Sequence, residues 1–309
     1  MKPFTLEAID GANPLGFLAA MGTVRLAALC WPKANITLSW KRAARWTPTL
    51  SGAPISDEQS LCAALRDAPS APVEQFAPLG KNITVSPDQF RQFTAAARRS
   101  ASSGDRRLAD FAVAFGCEDC PDERNNRIRF TQLCFITGSG HQDFLGTMTA
   151  LKEQTTADNL YEALFGGWQG RDKSLAFRWD PGDAREYALR WGDPSKEGAW
   201  STWGANRLAL EALPFFPTQP QARQLITTGF TSRWRKGVGR KDEFTWPIWA
   251  GPLGCDEIRS LLALSELQEE SPGREEIQAR GVQEIFRATR VRIGQGANFK
   301  VSFRPARAI

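Results

Sequence analysis

The sequence predicts an α+β fold with a mixed or antiparallel sheet, several packed helices and a C-terminal β-hairpin. Strand-like segments alternate apolar and polar residues, as around Ile36, Leu38 and Trp40, and a two-residue period is typical of a half-buried strand. Helices are indicated by starting signals such as Asn13-Pro14, a side-chain cap followed by a proline suited to the first turn. Near the C-terminus, two strand-like segments flank a short glycine-containing loop, which predicts the hairpin.

The length and composition are typical of a globular protein. A chain of 309 residues can bury a substantial core, and we expect one α+β unit over residues 1–309, with a candidate lobe junction only near residues 117–127. Six cysteines at irregular spacing and no visible secretory leader favour a cytoplasmic protein without a disulfide framework. The apolar segment from Leu15 to Trp31 contains Arg25 and is too short and charged to span a bilayer, so we expect no membrane association.

Helix and strand signals follow one another along the first half of the chain. The first helix should end at about Leu29, before Trp31-Pro32, and its glycines and alanines allow another backbone to approach closely. Capping signals at Ser56 and Ser86 begin two more helices. In chain order, we expect a strand at residues 4–9, a helix at 14–29, a strand at 36–40, helices at 56–66 and from 86, a helix after Gly104, a strand at 128–136 and a helix from about residue 142.

A glycine-rich turn, Thr137-Gly138-Ser139-Gly140, separates the last two of these elements. Such a turn can present backbone N–H groups to a phosphate at the start of a helix. A nucleotide-binding fingerprint would need a third glycine where Asp143 stands, or a P-loop lysine, and the sequence has neither. A tight turn is therefore the preferred interpretation, and phosphate binding is the alternative.

The stretch from Phe177 to Pro217 is the densest in tryptophan, proline, glycine and carboxylates. It predicts a strand at residues 175–179, a turn at 180–183, a strand at 187–191 and a helix capped by Asn206. Its three aspartates could form a metal or acid–base cluster, but each lies beside Pro or Gly, where a carboxylate commonly closes a turn. We therefore expect turn-forming carboxylates and no catalytic residue at Asp180, Asp183 and Asp193.

Three cysteines and the only histidine fall within 25 residues and could supply a tetrahedral zinc site. They are Cys117, Cys120, Cys134 and His141. The usual second C-x-x-C or H-x-x-x-H pair is missing, and Cys134 lies in an apolar strand-like segment, where a cysteine is more often packed in the core. We expect no metal and no cofactor, and zinc remains the alternative.

A cation-rich segment with one tryptophan and two glycines is the clearest nucleic-acid-like feature. We expect a loop that follows a strand at 225–230 and precedes a strand at 244–249 and a helix at 255–268. Basic side chains neutralise phosphates, and an aromatic ring can stack on a base, whereas a plain mobile surface loop is the alternative. The candidate binding residues of this segment are Arg233, Trp234, Arg235, Lys236, Arg240 and Lys241.

The last 28 residues contain six basic residues and one acidic residue, which accounts for the whole net charge of +5. Strands at residues 286–293 and 299–303 should form the hairpin, and cations at strand spacing can follow a row of phosphates, although charged edge strands also discourage aggregation. Such an asymmetry favours a polyanionic partner. The candidate binding residues here are Arg287, Arg290, Arg292, Lys300 and Arg304.

Three motifs resemble proteins of the type I-G (I-U) CRISPR systems. They read N-P-L-G-F-L-A-A-x-G from Asn13, R-W-D-P-x-D-x-R-x-Y-A-L from Arg178 and G-A-N-R-L-A from Gly204. The two stretches that contain them, residues 10–22 and 177–217, cover about a fifth of the chain. The family contains large subunits of RNA-guided interference complexes and a shorter relative associated with the helicase-nuclease. The motifs carry no catalytic signature, so the resemblance implies membership of a CRISPR assembly rather than an enzymatic activity.

The residues argue against catalysis. One histidine is too few for a histidine-rich metal nuclease, and the sequence has no G-x-S-x-G elbow or phosphate loop. We therefore expect a non-catalytic subunit of a type I CRISPR interference complex that binds DNA or guide RNA and other CRISPR-associated subunits. The alternatives are a protein-binding adaptor for the helicase-nuclease and a carboxylate-metal nuclease.

Overall fold

The computed structural model describes residues 2–135, 143–183, 200–222, 224–235, 239–295 and 298–309. Within them, helices pack with several separate sheets whose strand pairings are all antiparallel. The predicted α+β class with an antiparallel sheet is therefore confirmed. Buried side chains from Phe4 to Phe303 belong to one connected core cluster. No helix of the described residues is long and apolar enough to cross a membrane.

Two helices begin as their capping signals predict. The Asn13 side chain accepts hydrogen bonds from the backbone N–H groups of Leu15 and Gly16, and Ser86 and Gln89 form a reciprocal capping box. The helices of the described residues are α1 (Pro14–Cys30), α2 (Glu58–Asp67), α3 (Pro87–Ser102), α4 (Arg107–Phe115), α5 (Phe144–Gln154), α6 (Ala157–Tyr161), α7 (Trp203–Leu210), α8 (Cys255–Leu262) and α9 (Arg274–Ala279).

The strands form a five-stranded central sheet, a three-stranded sheet and three two-stranded ribbons among the described residues. The strands are β1 (Phe4–Thr5), β2 (Thr37–Arg42), β3 (Trp46–Ser51), β4 (Gly116–Pro121), β5 (Ile128–Phe130), β6 (Asp172–Lys173), β7 (Trp200–Ser201), β8 (Thr218–Gln221), β9 (Gln224–Thr227), β10 (Phe230–Arg235), β11 (Gly239–Trp249), β12 (Val282–Gln295), β13 (Asn298–Phe303) and β14 (Arg307–Ala308).

The central sheet has the order β10-β11-β12-β13, and β14 also pairs with β12. The C-terminal hairpin is confirmed, because β12 and β13 pair from Arg290 with Phe303 to Gln295 with Asn298. Neighbouring strands are antiparallel, so one end of the sheet carries the last residues of β10 and β12 and the first residues of β11 and β13. We call this the sheet end.

Helix α1 is buried on all sides up to Ala27, more completely than a one-sided apolar stripe predicts. It packs against α7, and the three motifs of the resemblance meet there. The Asn13 side-chain amide donates to the Asp180 carboxylate over 3.0 Å, and the Asn206 side chain accepts from the Phe177 backbone N–H over 3.0 Å. The motifs are therefore packing elements of one core.

Two predictions in the motif region are wrong. Residues 175–179 do not form a strand, because Leu175 and Arg178 have φ angles of 50° and 62°, which break an extended backbone. Phe177 and Trp179 are nevertheless fully buried, as the apolar positions of a half-buried strand would be. Asn206 does not cap the helix, since α7 begins at Trp203, and Asn206 instead bonds to backbone groups from inside α7.

Other elements differ in extent from the prediction. The strand expected at 128–136 ends at Phe130, the one expected at 4–9 ends at Thr5, and the helix expected to reach residue 268 ends at Leu262, before a 3₁₀ turn. The strands β3, β4, β6, β7, β8 and β14 and the helices α6 and α9 were not predicted from the sequence. The glycine-rich turn at 137–140, the strand at 187–191, Lys236, Asp193 and His141 lie outside the described residues.

Candidate nucleic-acid interface

The cation-rich segment expected to be a loop is mostly a β-hairpin, which corrects the prediction. Arg233 pairs with Lys241 and Trp234 pairs with Arg240 across β10 and β11. Strand pairing explains why the side chains alternate between two faces of the sheet. The candidate cations of this hairpin are therefore divided between two surfaces.

The inner face of the central sheet changes from aromatic to cationic toward the sheet end. In the core, Phe244 of β11 pairs with Ala288 of β12. Two residues nearer the sheet end and on the same face, Asp242 of β11 pairs with Arg290 of β12, and Arg290 pairs with Phe303 of β13. One row further out, the same face carries Trp234, Arg240 and Arg292, as the strand alternation requires. We call these three residues the sheet-end surface.

Trp234 is 80% exposed, although tryptophan normally buries a large area. Its pairing partner Arg240 is about half exposed and donates from Nη2 to the Ser232 hydroxyl over 2.9 Å and to the Gln224 side chain over 3.1 Å. These contacts fix the guanidinium, which also lies 3.9 Å from the Asp242 carboxylate, and a guanidinium has further N–H groups for an anion. The sheet-end surface therefore combines an exposed ring with a positioned cation.

Arg292 adds a second cation to this surface. Its guanidinium carbon lies 3.7 Å from the centroid of the Phe299 ring, and the residue is exposed. Arginine is a residue type that both stacks on aromatic faces and recognises phosphate. Lys300, which pairs with Ile293, is also exposed near the sheet end, on the opposite face.

Arg290 lies between the sheet-end surface and the core. Its guanidinium lies 5.3 Å from the Phe135 ring centroid and 3.4 Å from the Asp242 carboxylate. Burial lowers the pKa of Arg290, and the charge of Asp242 acts in the opposite direction. Arg290 therefore attaches this part of the sheet to the core rather than facing solvent.

Arg233 and Arg287 hold a neighbouring segment against the outer face of the sheet. Arg233 forms an ion pair with Glu243 at 2.8 Å and donates to the Gln268 carbonyl. Arg287 is 2% exposed and donates to the carbonyls of Glu270 and Glu269 over 3.1 and 2.5 Å. These contacts place both guanidinium groups in the internal structure, so we remove Arg233 and Arg287 from the candidate phosphate-binding set.

A groove of about 750 Å³ lies on the outer face of the sheet, beside the contacts that Arg287 makes. Its lining contains the predicted cations Lys241 and Arg304, with Arg287 and Arg307, opposed by Glu243 and Glu270. Arg307 lies 3.8 Å from Glu243, so part of the positive charge is compensated. The outer groove is therefore a second cationic surface, separate from the sheet-end surface. Nothing is described of the Arg235 side chain.

The described carboxylates and cysteines form no metal cluster. The Asp180 carboxylate accepts hydrogen bonds from Asn13 and from the Gly182 backbone N–H, as the turn interpretation predicts. Cys134 is fully buried, and burial raises its pKa, which disfavours the thiolate that binds zinc. Among the residues that the structure describes, no group of three His, Cys, Asp or Glu side chains could hold a metal ion.

A basic turn between β2 and β3 was not among the predicted binding segments. Lys41, Arg42 and Arg45 are exposed there beside the half-buried Trp46. The signal was present in the sequence as K-R-A-A-R-W, a cluster of cations next to an aromatic residue of the same kind as the segment around Trp234.

No protein-family model matches the chain, and neither does a curated protein sequence. Its function is therefore inferred from the geometry of its side chains and from the motifs given above.

Proposed function

We propose that the protein is a non-catalytic subunit that binds nucleic acid through the sheet-end surface. The observation that supports this function best is the 80% exposure of Trp234 beside the positioned cation of Arg240. An exposed tryptophan on a paired strand is a platform on which a base can stack. Arg240 and Arg292 supply the charge that a sugar-phosphate backbone needs.

In the proposed binding mode, affinity comes from charge and stacking rather than from recognition of the base sequence. Arg240 and Arg292 would contact phosphates, and phosphate contacts carry no sequence information directly. Because every base has a stacking face, Trp234 adds affinity without selecting one base strongly. Unpaired, single-stranded nucleic acid is the ligand that such a surface suits, since its bases are free to stack.

The proposed setting is a type I-G CRISPR interference complex in the cytoplasm, with DNA or guide RNA and other CRISPR-associated subunits as partners. The three motifs around Asn13, Asp180 and Asn206 support this setting by resemblance. Their mutual packing agrees with a role in the fold. The proposed binding residues lie instead in the central sheet.

Titration with fluorescently labelled single-stranded oligonucleotides at several salt concentrations tests the proposal. Each phosphate contact contributes about −0.7 to the slope of log affinity against log salt. Contacts from Arg240 and Arg292 should therefore give a slope of about −1.4 or steeper. Absence of binding at low ionic strength would overturn the proposed function.

A protein-binding adaptor is the second candidate, because an exposed tryptophan is also typical of the centre of a protein interface. The two candidates differ in their response to salt. An apolar interface centred on Trp234 survives screening that weakens phosphate contacts. Co-purification of helicase-nuclease or other subunits in high salt, with no oligonucleotide binding at low salt, would favour the adaptor.

A further inference from the structure

The turn between β2 and β3 presents three cations that the described structure leaves without carboxylate partners. Lys41, Arg42 and Arg45 are exposed, and none forms an ion pair within the described part of the chain. The Arg42 guanidinium lies 5.6 Å from the centroid of the Trp46 ring. The turn therefore combines concentrated positive charge with an aromatic side chain.

Hydrogen bonds fix this turn to the central sheet. Arg42 pairs with Trp46 across the hairpin, and the Trp46 carbonyl accepts from the Gly11 backbone N–H over 2.8 Å. The Gly11 carbonyl in turn accepts from the Trp246 indole over 2.8 Å. Because Trp246 belongs to β11, the basic turn has a defined position beside the sheet that carries Trp234.

Cations lie on both sides of the β14 edge of this sheet. A cleft of about 240 Å³ separates the basic turn from Phe286 and Ala308, and its lining includes Arg42 and Arg45. Ala308 also lines the outer groove, and the alternation along β14 directs Arg307 to the face opposite Ala308.

Carboxylates are present in both cavities: they equal the two lining arginines in the small cleft and are fewer than the four lining cations in the outer groove. Asp10 and Glu284 line the small cleft, and Glu243 and Glu270 line the outer groove. The cations on the two sides of the edge are Lys41, Arg42, Arg45, Lys241, Arg287, Arg304 and Arg307. We call the basic turn together with Arg304 and Arg307 the β14-edge surface.

The β14-edge surface and the sheet-end surface are separated by the length of a short oligonucleotide. Phe286 and Arg292 are six positions apart on β12, which corresponds to roughly 20 Å at about 3.3 Å per residue. A strand stacked as in a duplex rises about 3.4 Å per nucleotide and covers that distance in roughly six nucleotides, and an extended, unstacked strand covers it in fewer.

We propose that Lys41, Arg42 and Arg45, with Arg304 and Arg307 across the edge, bind phosphates of the same nucleic-acid strand that stacks on Trp234. This inference rests on the proposed function and specifies the course of the strand, from the sheet end along the central sheet to the β14 edge. A short oligonucleotide reaches one surface only, whereas a long one reaches both.

A triple variant, Lys41→Ala with Arg42→Ala and Arg45→Ala, tests this course with two labelled single strands. One of about 2 nucleotides is too short to span roughly 20 Å, and one of about 20 nucleotides spans it. For the long strand we expect the salt slope to become shallower by about 2, since three phosphate contacts are lost, and the affinity to fall about tenfold or more. For a short strand stacked on Trp234 we expect little change. Because the three side chains are exposed, the melting temperature should stay unchanged.

The matched control removes three exposed arginines elsewhere, Arg98, Arg99 and Arg124, and should leave the long-strand slope as in the wild type. An unchanged slope in the Lys41, Arg42 and Arg45 variant, with a wild type that binds, would overturn the inference and leave the proposed function standing. A wild type that binds neither strand would overturn both. Equal competition by a poly-glutamate of matched charge would assign the β14-edge surface to acidic proteins and overturn the nucleic-acid assignment.

Discussion

Gly22 of α1 lies directly against the carbonyl oxygen of Leu208 in α7, so that a Cβ atom on Gly22 would approach this oxygen to 1.7 Å. Both residues are buried, and the clashing group is backbone that cannot rotate away. Glycine at position 22 therefore allows the first and third motifs of the chain to pack backbone against backbone.

We expect Gly22→Ala to lower the free energy of unfolding by about 1–3 kcal/mol or more, because the two helices must separate to accept the methyl group. Urea denaturation followed by circular dichroism measures this change. Gly251→Ala is the matched control, since a Cβ atom there meets no heavy atom within 4 Å and the unfolding midpoint should hardly move. Equal midpoints for the two variants would contradict the close packing of α1 and α7.

Local signals in the sequence predicted the helices more accurately than they predicted the backbone around Trp179. The caps at Asn13 and Ser86 involve residues two or three positions away, so the sequence shows all the participants. In contrast, the backbone at Leu175 and Arg178 adopts positive φ angles that neither residue type favours. Tertiary packing imposes that conformation, and alternation alone could predict only which side chains are buried.

The candidate cations were identified by composition, which could not assign their roles. Arg287 and Arg240 look alike in sequence, but Arg287 binds carbonyl groups 17 and 18 positions away, whereas Arg240 remains about half exposed. Such long-range contacts have no periodic signature. The basic turn at Lys41 is the opposite case, because its cations and its aromatic residue are adjacent in the sequence, as K-R-A-A-R-W.

Trp234→Ala should weaken oligonucleotide binding without lowering stability. Loss of one stacked base costs about 1–3 kcal/mol, which corresponds to roughly a five- to 150-fold rise in Kd, while an 80% exposed side chain contributes little to the core. Fluorescence anisotropy and thermal unfolding measure the two effects. Trp234→Phe keeps a smaller stacking ring and should lose less affinity than Trp234→Ala; equal losses would argue against stacking.

Arg287→Ala and Arg240→Ala should have opposite effects. Arg287→Ala leaves the Glu269 and Glu270 carbonyls and the Thr245 hydroxyl without their buried donor, so we expect a loss of about 2–4 kcal/mol of stability. Arg240→Ala should leave stability nearly unchanged and make the salt slope shallower by about 0.7. Salt titrations and urea denaturation of both variants separate the two roles, and a large destabilisation by Arg240→Ala would contradict this division.

The Cys62 thiol should resist alkylation in the folded protein. Burial raises its pKa to about 12, with the charge of Glu58 acting in the same direction, so little reactive thiolate forms below that pH. In the folded protein, the rate of Cys62 alkylation by iodoacetamide should stay low between about pH 7 and 9. In urea, where the thiol has its ordinary pKa of about 8.5, the rate should rise with pH across this range. Peptide mass spectrometry measures the modified fraction, and fast modification of folded Cys62 would contradict its burial.

Glu211 is a fully buried carboxylate that accepts from two arginines. Its oxygens lie 2.7 Å from Arg25 Nη1 and 2.8 Å from Arg207 Nη1, and Glu211 also accepts from the Ala71 backbone N–H over 2.9 Å. The arginine side chains are only 4% exposed. One negative charge therefore compensates two buried positive charges.

Removing the carboxylate should cost more stability than removing one of the arginines. Glu211→Gln leaves Arg25 and Arg207 buried together without a counter-charge, and we expect a loss of about 3–5 kcal/mol. Arg207→Met leaves a balanced pair of Arg25 and Glu211 and removes the Arg207 Nη2 group, which has no hydrogen-bond partner among the described residues, so its cost should be smaller. Urea denaturation of the two variants ranks them, and an equal or larger cost for Arg207→Met would show that the charge balance does not control the stability of this core.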